Sequence, residues 1–394
     1  MSNRSRPLVR LGLVRCTLPI VRVSSTPARV PVLPLVAALL AALLLAGCGV
    51  STGERAVGAE GTSDVRTAPP LADVRPLTDV RDWEGEAVVA AQDEVDPVAD
   101  SPEQQLPVTL TDAQGTKVTV EDASRVLALD VHGTLARTVA ELGLADVLVG
   151  RDVSTQVEGL DDLPLVTQDG HDLVAEAILG LDPTLLITDT SLGPWDVVLQ
   201  VRDAGIPVVV LEPERTLDNV GSLVRGVAEA LGVPEEGAAL AQRTQREIDD
   251  VTAEIARVAP ADEGQWLRTV FLYVRGQSGV YYMFGEGSGA DSLIEAIGGY
   301  DVAEEIGWNG MKPLTDEGLV SAQPDLVLMM SGGLDSAGGV DGLLERLPAL
   351  AETPAGRHRR FVAMDDADIL GFGPATASVL EALAVAAYAP GELS

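Results

Sequence analysis

The chain has 394 residues, room for two domains of ordinary size, and 46% of them are hydrophobic, enough for a large core. A formal net charge of −33 argues against a nucleic-acid partner, because such a surface repels phosphate. Only 3% of the residues are aromatic, so a local crowd of them carries information.

Residues 1–47 stand apart: they are arginine-rich, lack any acidic residue, and end in an apolar run from Val30 to Ala46. A basic region, an apolar region and small residues before a cleavage point make a secretory signal. The tetrapeptide Leu45-Ala46-Gly47-Cys48 is similar to a bacterial lipobox. That likeness implies cleavage before Cys48, lipid on its sulfur, and anchorage at the outer face of the cytoplasmic membrane. A retained membrane helix is the competing reading; Pro31 and Pro34 interrupt the run, which is short for a span. Cys16 leaves with the leader and Cys48 is lipidated, so no pair remains for a disulfide.

Residues 48–105 are rich in Asp, Glu, Ala, Pro and Ser and repeat Asp-Val-Arg without a helical or strand period. They read as a disordered acidic linker that lifts a folded body off the membrane. From 106 to 216 a hairpin around DAQG leads into short apolar strands alternating with amphipathic helices, the pattern of a parallel sheet with helices on both faces. From 217 to 262 the strands stop. Two helices are expected there, the second from Glu235 to Val258 with Ala239, Ala241, Ile248, Val251 and Ile255 toward one face. From 263 to 394 α/β alternation resumes, opening on the hairpin TVFLYVR–GQSG–VYYMF. The expected fold is two α/β lobes joined by a single long rigid helix, with ligand in the interlobe cleft.

In such lobes ligands lie at the carboxyl ends of strands, which directs attention to DVHGT, TQDGHDL, TDTSLGPW, EPERT, VRGQSG, MMSGGLDS and DDADILGFGPAT. Tyr273 and Arg275 are two apart and share a strand face. A permanent cation beside a phenol favours phenolate, a hard oxygen suited to ferric iron. Alone, a Y-x-R is as readily a packed tyrosine and an ion-paired arginine.

The segments LALDVHGTLARTVAELGLADVLVGRDVST, GHDLVAEAILGLDPTLLITDTSLGP and FLYVRG resemble the haem-binding lipoproteins of bacterial haem (hemin) ABC importers, the HmuT type. The likeness covers about 106–394 and implies the helical-backbone class of substrate-binding proteins. It implies haem as the transported ligand, His171 and Tyr273 as axial ligands of its iron, and Arg275 as support for the phenolate. His132 is the rival histidine, either an alternative haem contact or a neutral residue bonding its own turn. Tyr281, Tyr282 and Met283 read as pocket wall or packing. The same class implies that Glu176 and Glu317, each opening a helix before a strand, meet arginines of an ABC transporter permease dimer; solvated surface carboxylates are the plain alternative. Haem affinity is expected to fall in acid, because a protonated His171 cannot ligate.

Two glycine loops, Gly285–Ala290 and Gly371–Thr376, superficially fit a dinucleotide fingerprint. They serve equally as anion-binding helix starts for haem propionates or as plain tight turns. No hydrolase or zinc-protease motif occurs, and the expected protein is not an enzyme. Other readings are a ferric-siderophore or corrinoid carrier of the same fold, a secreted oxidoreductase, and a cell-wall interaction module.

Overall fold

The computed structural model describes residues 64–92 and 94–394; the basic leader and Cys48 lie outside them. The first described segment departs from the sequence reading. Residues 64–105 are not a free linker. Strand β1 (Val65–Thr67) pairs parallel with β2 (Glu86–Ala90), and β2 pairs parallel with a strand of the second lobe, Val88 opposite Ala363. Leu71, Val80 and Trp83 are buried in that lobe's core. These apolar residues are spaced singly among carboxylates, so they leave no period to read. Arg81 donates from Nε to Asp325 at 3.0 Å and from its other nitrogens to the carbonyls of Gln265 and Trp266. The buried Arg360 donates in turn to the carbonyls of Arg81, Trp83 and Asp325. The chain then passes to the first lobe. There Val95 and Val98 pack on the core, and the amides of Val98 and Gln105 donate to the carbonyls of Glu141 and Gly232.

The first lobe opens with the antiparallel hairpin β3 (Val108–Thr111) and β4 (Lys117–Val120). Strand β5 (Val126–Leu129) follows, then helix α1 (Thr134–Glu141). A two-residue hairpin, β6 (Thr167–Gln168) and β7 (Asp172–Leu173), precedes α2 (Ala175–Gly180), β8 (Leu185–Thr188), α3 (Trp195–Asp203) and β9 (Val208–Val210). Every residue of β5, β8 and β9 is buried, as a sheet covered on both faces requires, and they lie parallel in the order β5-β8-β9. The apolar runs DVLVG and LPLVT form only single bridges, Val126 to Leu148 and Arg151 to Leu165, and a 3₁₀ turn at Ala145–Val147 takes up part of the first.

Helices α4 (Val220–Leu231) and α5 (Pro234–Val258) join the lobes. Pro234 at the first position, Glu235 and Glu236 in the first turn and Arg257 in the last suit the ends of α5. At about 1.5 Å per residue its 25 residues span roughly 37 Å. Leu240 and Ala241 enter the first lobe's core, whereas Ile248, Val251 and Ile255 enter the second's. Ala239, expected on this face, is exposed and Leu240 takes its place. A Cβ on Gly237 would lie 2.2 Å from that of Ala228, so glycine sets how closely α4 and α5 approach.

The second lobe is built on β10 (Arg268–Arg275) and β11 (Val280–Phe284), followed by α6 (Ala290–Ala296), β12 (Tyr300–Asp301), β13 (Met311–Pro313) and α7 (Asp316–Ala322). Then come β14 (Leu326–Met330), α8 (Ser331–Ala337), β15 (Phe361–Met364) and α9 (Thr376–Tyr388). Its sheet runs β1-β2-β15-β14-β10-β11-β13, parallel from β1 to β10 and antiparallel beyond, with β12 beside β10. Helix α9 is apolar nearly all round and buried against the sheet and α5.

Candidate ligand site in the interlobe cleft

Strand alternation separates the two faces of β10. Val270, Leu272 and Val274 point into one core, and Phe271 into the other. On the face of Phe271, exposure rises along the strand, through a partly buried Tyr273 to a partly exposed Arg275. The antiparallel register sets Phe271 opposite Phe284 and Tyr273 opposite Tyr282. Their rings form one patch: Phe271 and Phe284 at 5.1 Å, Tyr273 stacked on Phe284 at 6.2 Å, and Tyr282 edge-on to Tyr273 at 6.4 Å. Met283 points the other way and is fully buried, out of reach of any cleft ligand, and Tyr281 packs on that same core.

Arg275 donates from Nε to the Tyr273 hydroxyl at 2.8 Å, with its guanidinium carbon 5.1 Å from the ring centroid. Its Nη1 lies 3.7 Å from an oxygen of Asp366. Gly276 follows the strand under the second lobe's α8: a Cβ there would lie 2.5 Å from Ala337, so glycine lets the hairpin approach that helix so closely.

His171 comes from the first lobe, at the tip of the β6–β7 hairpin. Asp169 and Gly170 before it both have left-handed backbone, with φ of 47° and 94°. The ring is half-buried, and its Nδ1 is buried without a hydrogen-bond partner. Burial first, then the Arg275 cation, depress its pKa below the ordinary histidine value, against the opposing pull of Asp366 and Asp172. His171 is thus within electrostatic reach of Arg275 at the end of β10 and of Asp366 in the loop after β15. Because Arg275 also donates to Tyr273, one cation lies near an imidazole of the first lobe and a phenol of the second, two groups whose chemistry suits ferric iron.

His132 lies deeper, where both lobes meet beside Thr134, Gln156, Gly371 and Phe372. Burial and the nearby Arg215 push its pKa down to about 4, against Asp189, and its Nδ1 too lacks a partner. Arg215 is itself buried and bridges Asp189 at 2.6 Å and Asp130 at 3.4 Å. Asp152, which accepts from the amides of Asp130, Ser154 and Thr155, is raised to about 7, chiefly by burial. Thr134 donates across the lobes to the Gly371 carbonyl at 2.7 Å, and Gln156 to Asp365 at 3.3 Å.

The glycine loops act by close approach. A Cβ on Gly285 would sit 1.8 Å from the Trp308 carbonyl oxygen, and one on Gly373 would sit 2.4 Å from the Thr134 methyl across the cleft. Glu176 and Glu317 are exposed in the first turns of α2 and α7. The strand-end loops singled out in the sequence also hold Asp130, Asp189, Arg215 and Asp366, which the sequence reading passed over. Asp130 and Asp189 each follow a buried strand directly, whereas Asp366 comes about two and Arg215 about five residues after one.

The family model for the periplasmic binding protein matches residues 131–367. A crystal structure of a haem-binding protein, HmuT, is 43% identical with a TM-score of 0.75, over 79% of this chain and all of that one. Variants of HmuT with a histidine, a tyrosine or an arginine replaced by alanine have also been solved, and the replaced tyrosine and arginine lie two residues apart. An uncharacterised ABC transporter substrate-binding lipoprotein of Bacillus subtilis, YvrC, is 24% identical over 75% of this chain and 90% of its own length. A cobalamin-binding protein of Halobacterium salinarum is 29% identical over 57% of this chain and 58% of its own.

Proposed function

Because the chain belongs to the periplasmic binding protein family, we propose that it is a haem carrier: it takes up ferric haem outside the cytoplasm and delivers it to an ABC importer. The observation that carries this reading is His171 of one lobe, its Nδ1 without a hydrogen-bond partner, within electrostatic reach of Arg275, which donates to Tyr273 in the other lobe. In use, the iron of the cargo takes the His171 nitrogen on one side and the Tyr273 oxygen on the other. The phenol gives up its proton to solvent as the bond forms, and Arg275 stabilises the resulting anion through the hydrogen bond already in place. Burial and Arg275 keep His171 unprotonated to lower pH than a free imidazole, so the acid loss of affinity sets in below the ordinary histidine range. His132 serves as an alternative contact deeper in the cleft. The carrier performs no chemistry on its cargo. It is exported and anchored through Cys48, and Glu176 and Glu317 engage the two permease subunits.

The experiment is a titration of the purified protein with hemin, followed by its Soret absorbance. Wild type should bind one equivalent or more. His171→Ala and Tyr273→Ala should each weaken binding by at least tenfold and change the spectrum, since each removes one ligand. A wild-type protein that ignores hemin would refute the reading. The likeness to a cobalamin-binding protein supports a second one, which predicts saturable binding of cyanocobalamin that survives both substitutions.

A further inference from the structure

The two exposed glutamates belong to a repeat that runs well past them. Glu176-Ala177-Ile178-Leu179 and Glu317-Gly318-Leu319-Val320 stand in the same register 141 positions apart, followed by Asp182-Pro183 and Gln323-Pro324 and then by the strands that begin at Leu185 and Leu326. The backbone repeats as well. Asp182 and Gln323 both take left-handed conformations, with φ of 49° and 42°, an uncommon choice for residues other than glycine. In both copies the third residue, Ile178 or Leu319, is fully buried. In both copies the fourth is a large apolar side chain left in solvent, Leu179 at 38% and Val320 at 54% exposure. Core packing explains the buried position and does not explain the exposed one. On a helix the fourth residue lies one turn above the first, so each glutamate has an apolar neighbour on its own face. Among the described residues, neither Glu176 nor Glu317 makes a hydrogen bond or an ion pair.

We infer that Leu179 and Val320 are the apolar half of a bipartite docking contact, in which each lobe offers one carboxylate and one aliphatic knob in the same local frame. This rests on the carrier reading above and specifies the partner's surface. The partner presents the same cation beside an apolar socket twice, as a two-fold symmetric membrane permease does. A charge alone attracts any basic surface, whereas the knob demands a matching hollow and so supplies selectivity.

The test places the photo-reactive residue p-benzoylphenylalanine at Leu179, at Val320 or, as a control, at the exposed edge residue Val65, in cells of the source strain. Cross-linked products are identified by mass spectrometry. The same integral-membrane permease subunit from 179 and 320, and none from 65, is the expected result. No product, a soluble or lipid product, or equal yield from 65 overturns the inference. In parallel, the double variant Leu179→Asp/Val320→Asp should slow importer-dependent hemin uptake about tenfold or more while the purified protein titrates with hemin as wild type does. Uptake at the wild-type rate overturns the inference. Cross-linking needs no cargo, so a wild-type protein that fails to bind hemin sinks the haem reading alone and leaves the docking result standing.

Discussion

Replacing Arg275 with alanine isolates the electrostatic part of the proposed site. The substitution removes the Nε–H donated to Tyr273 at 2.8 Å and the cation lying against its ring. A hydrogen bond to a charged acceptor is worth about 1.5–3 kcal/mol. The Arg275 side chain is 41% exposed and shares its charge with Asp366, so solvent screening sets the effect near the lower end, about 1.5 kcal/mol. That is roughly a tenfold loss of hemin affinity. Arg275→Lys keeps the charge and loses the forked donor, so it should recover only part of the loss. Soret titrations of the three proteins at constant ionic strength measure this directly. If Arg275→Ala binds within twofold of wild type while Tyr273→Phe loses binding, the phenolate needs no cation and the reasoning is wrong.

Trp83→Ala should cost about 3–5 kcal/mol in urea unfolding, as for any large aromatic removed from a core; an effect under 1 kcal/mol would mean that residues 64–92 are a tether after all. Tyr388→Phe should leave stability unchanged or raise it, because the buried hydroxyl has no partner to lose, and a melting curve decides. His132, held at about 4, refuses a proton that the unfolded chain accepts below about pH 6.5, so its contribution is present above that pH and is lost toward pH 4, about 3 kcal/mol in all. Asp152, raised to about 7, works in the opposite sense across the same window, holding its proton in the folded state and costing stability as pH rises. Unfolding of His132→Gln measured against wild type between pH 4 and 6.5 should therefore show a difference that grows as pH rises, and a constant offset would refute the assignment.

Much of the architecture could be read before any coordinates, and the reasons are local. The buried positions of α5 recur at helical spacing, and residues two apart in a strand such as β10 share a face, so Tyr273 and Arg275 could be put together without knowing what lay opposite. His171 was reachable as a loop residue beside a short strand. What faces it was not, because Arg275 and Asp366 are each about a hundred or more positions away and only folding brings their charges together. Trp83 and the strand at Glu86–Ala90 were lost for a different reason: acidic composition argued for disorder, and their order depends on an edge offered by β15, far along the chain. The ion cluster of Asp130, Asp189 and Arg215 escaped because three separate strand ends must converge before it exists.

Helix α5 is embedded in two hydrophobic interiors at once, by Leu240 near one end and Ile255 near the other. The jaws cannot swing apart as a door does on a loose pin. Parting them widely means bowing this rod or stripping one of its ends from the oil around it, and the N-terminal strap, sewn into both halves, resists in parallel. Such a body acts as a stiff pair of tweezers. Any wide opening has to strain one of these anchorages.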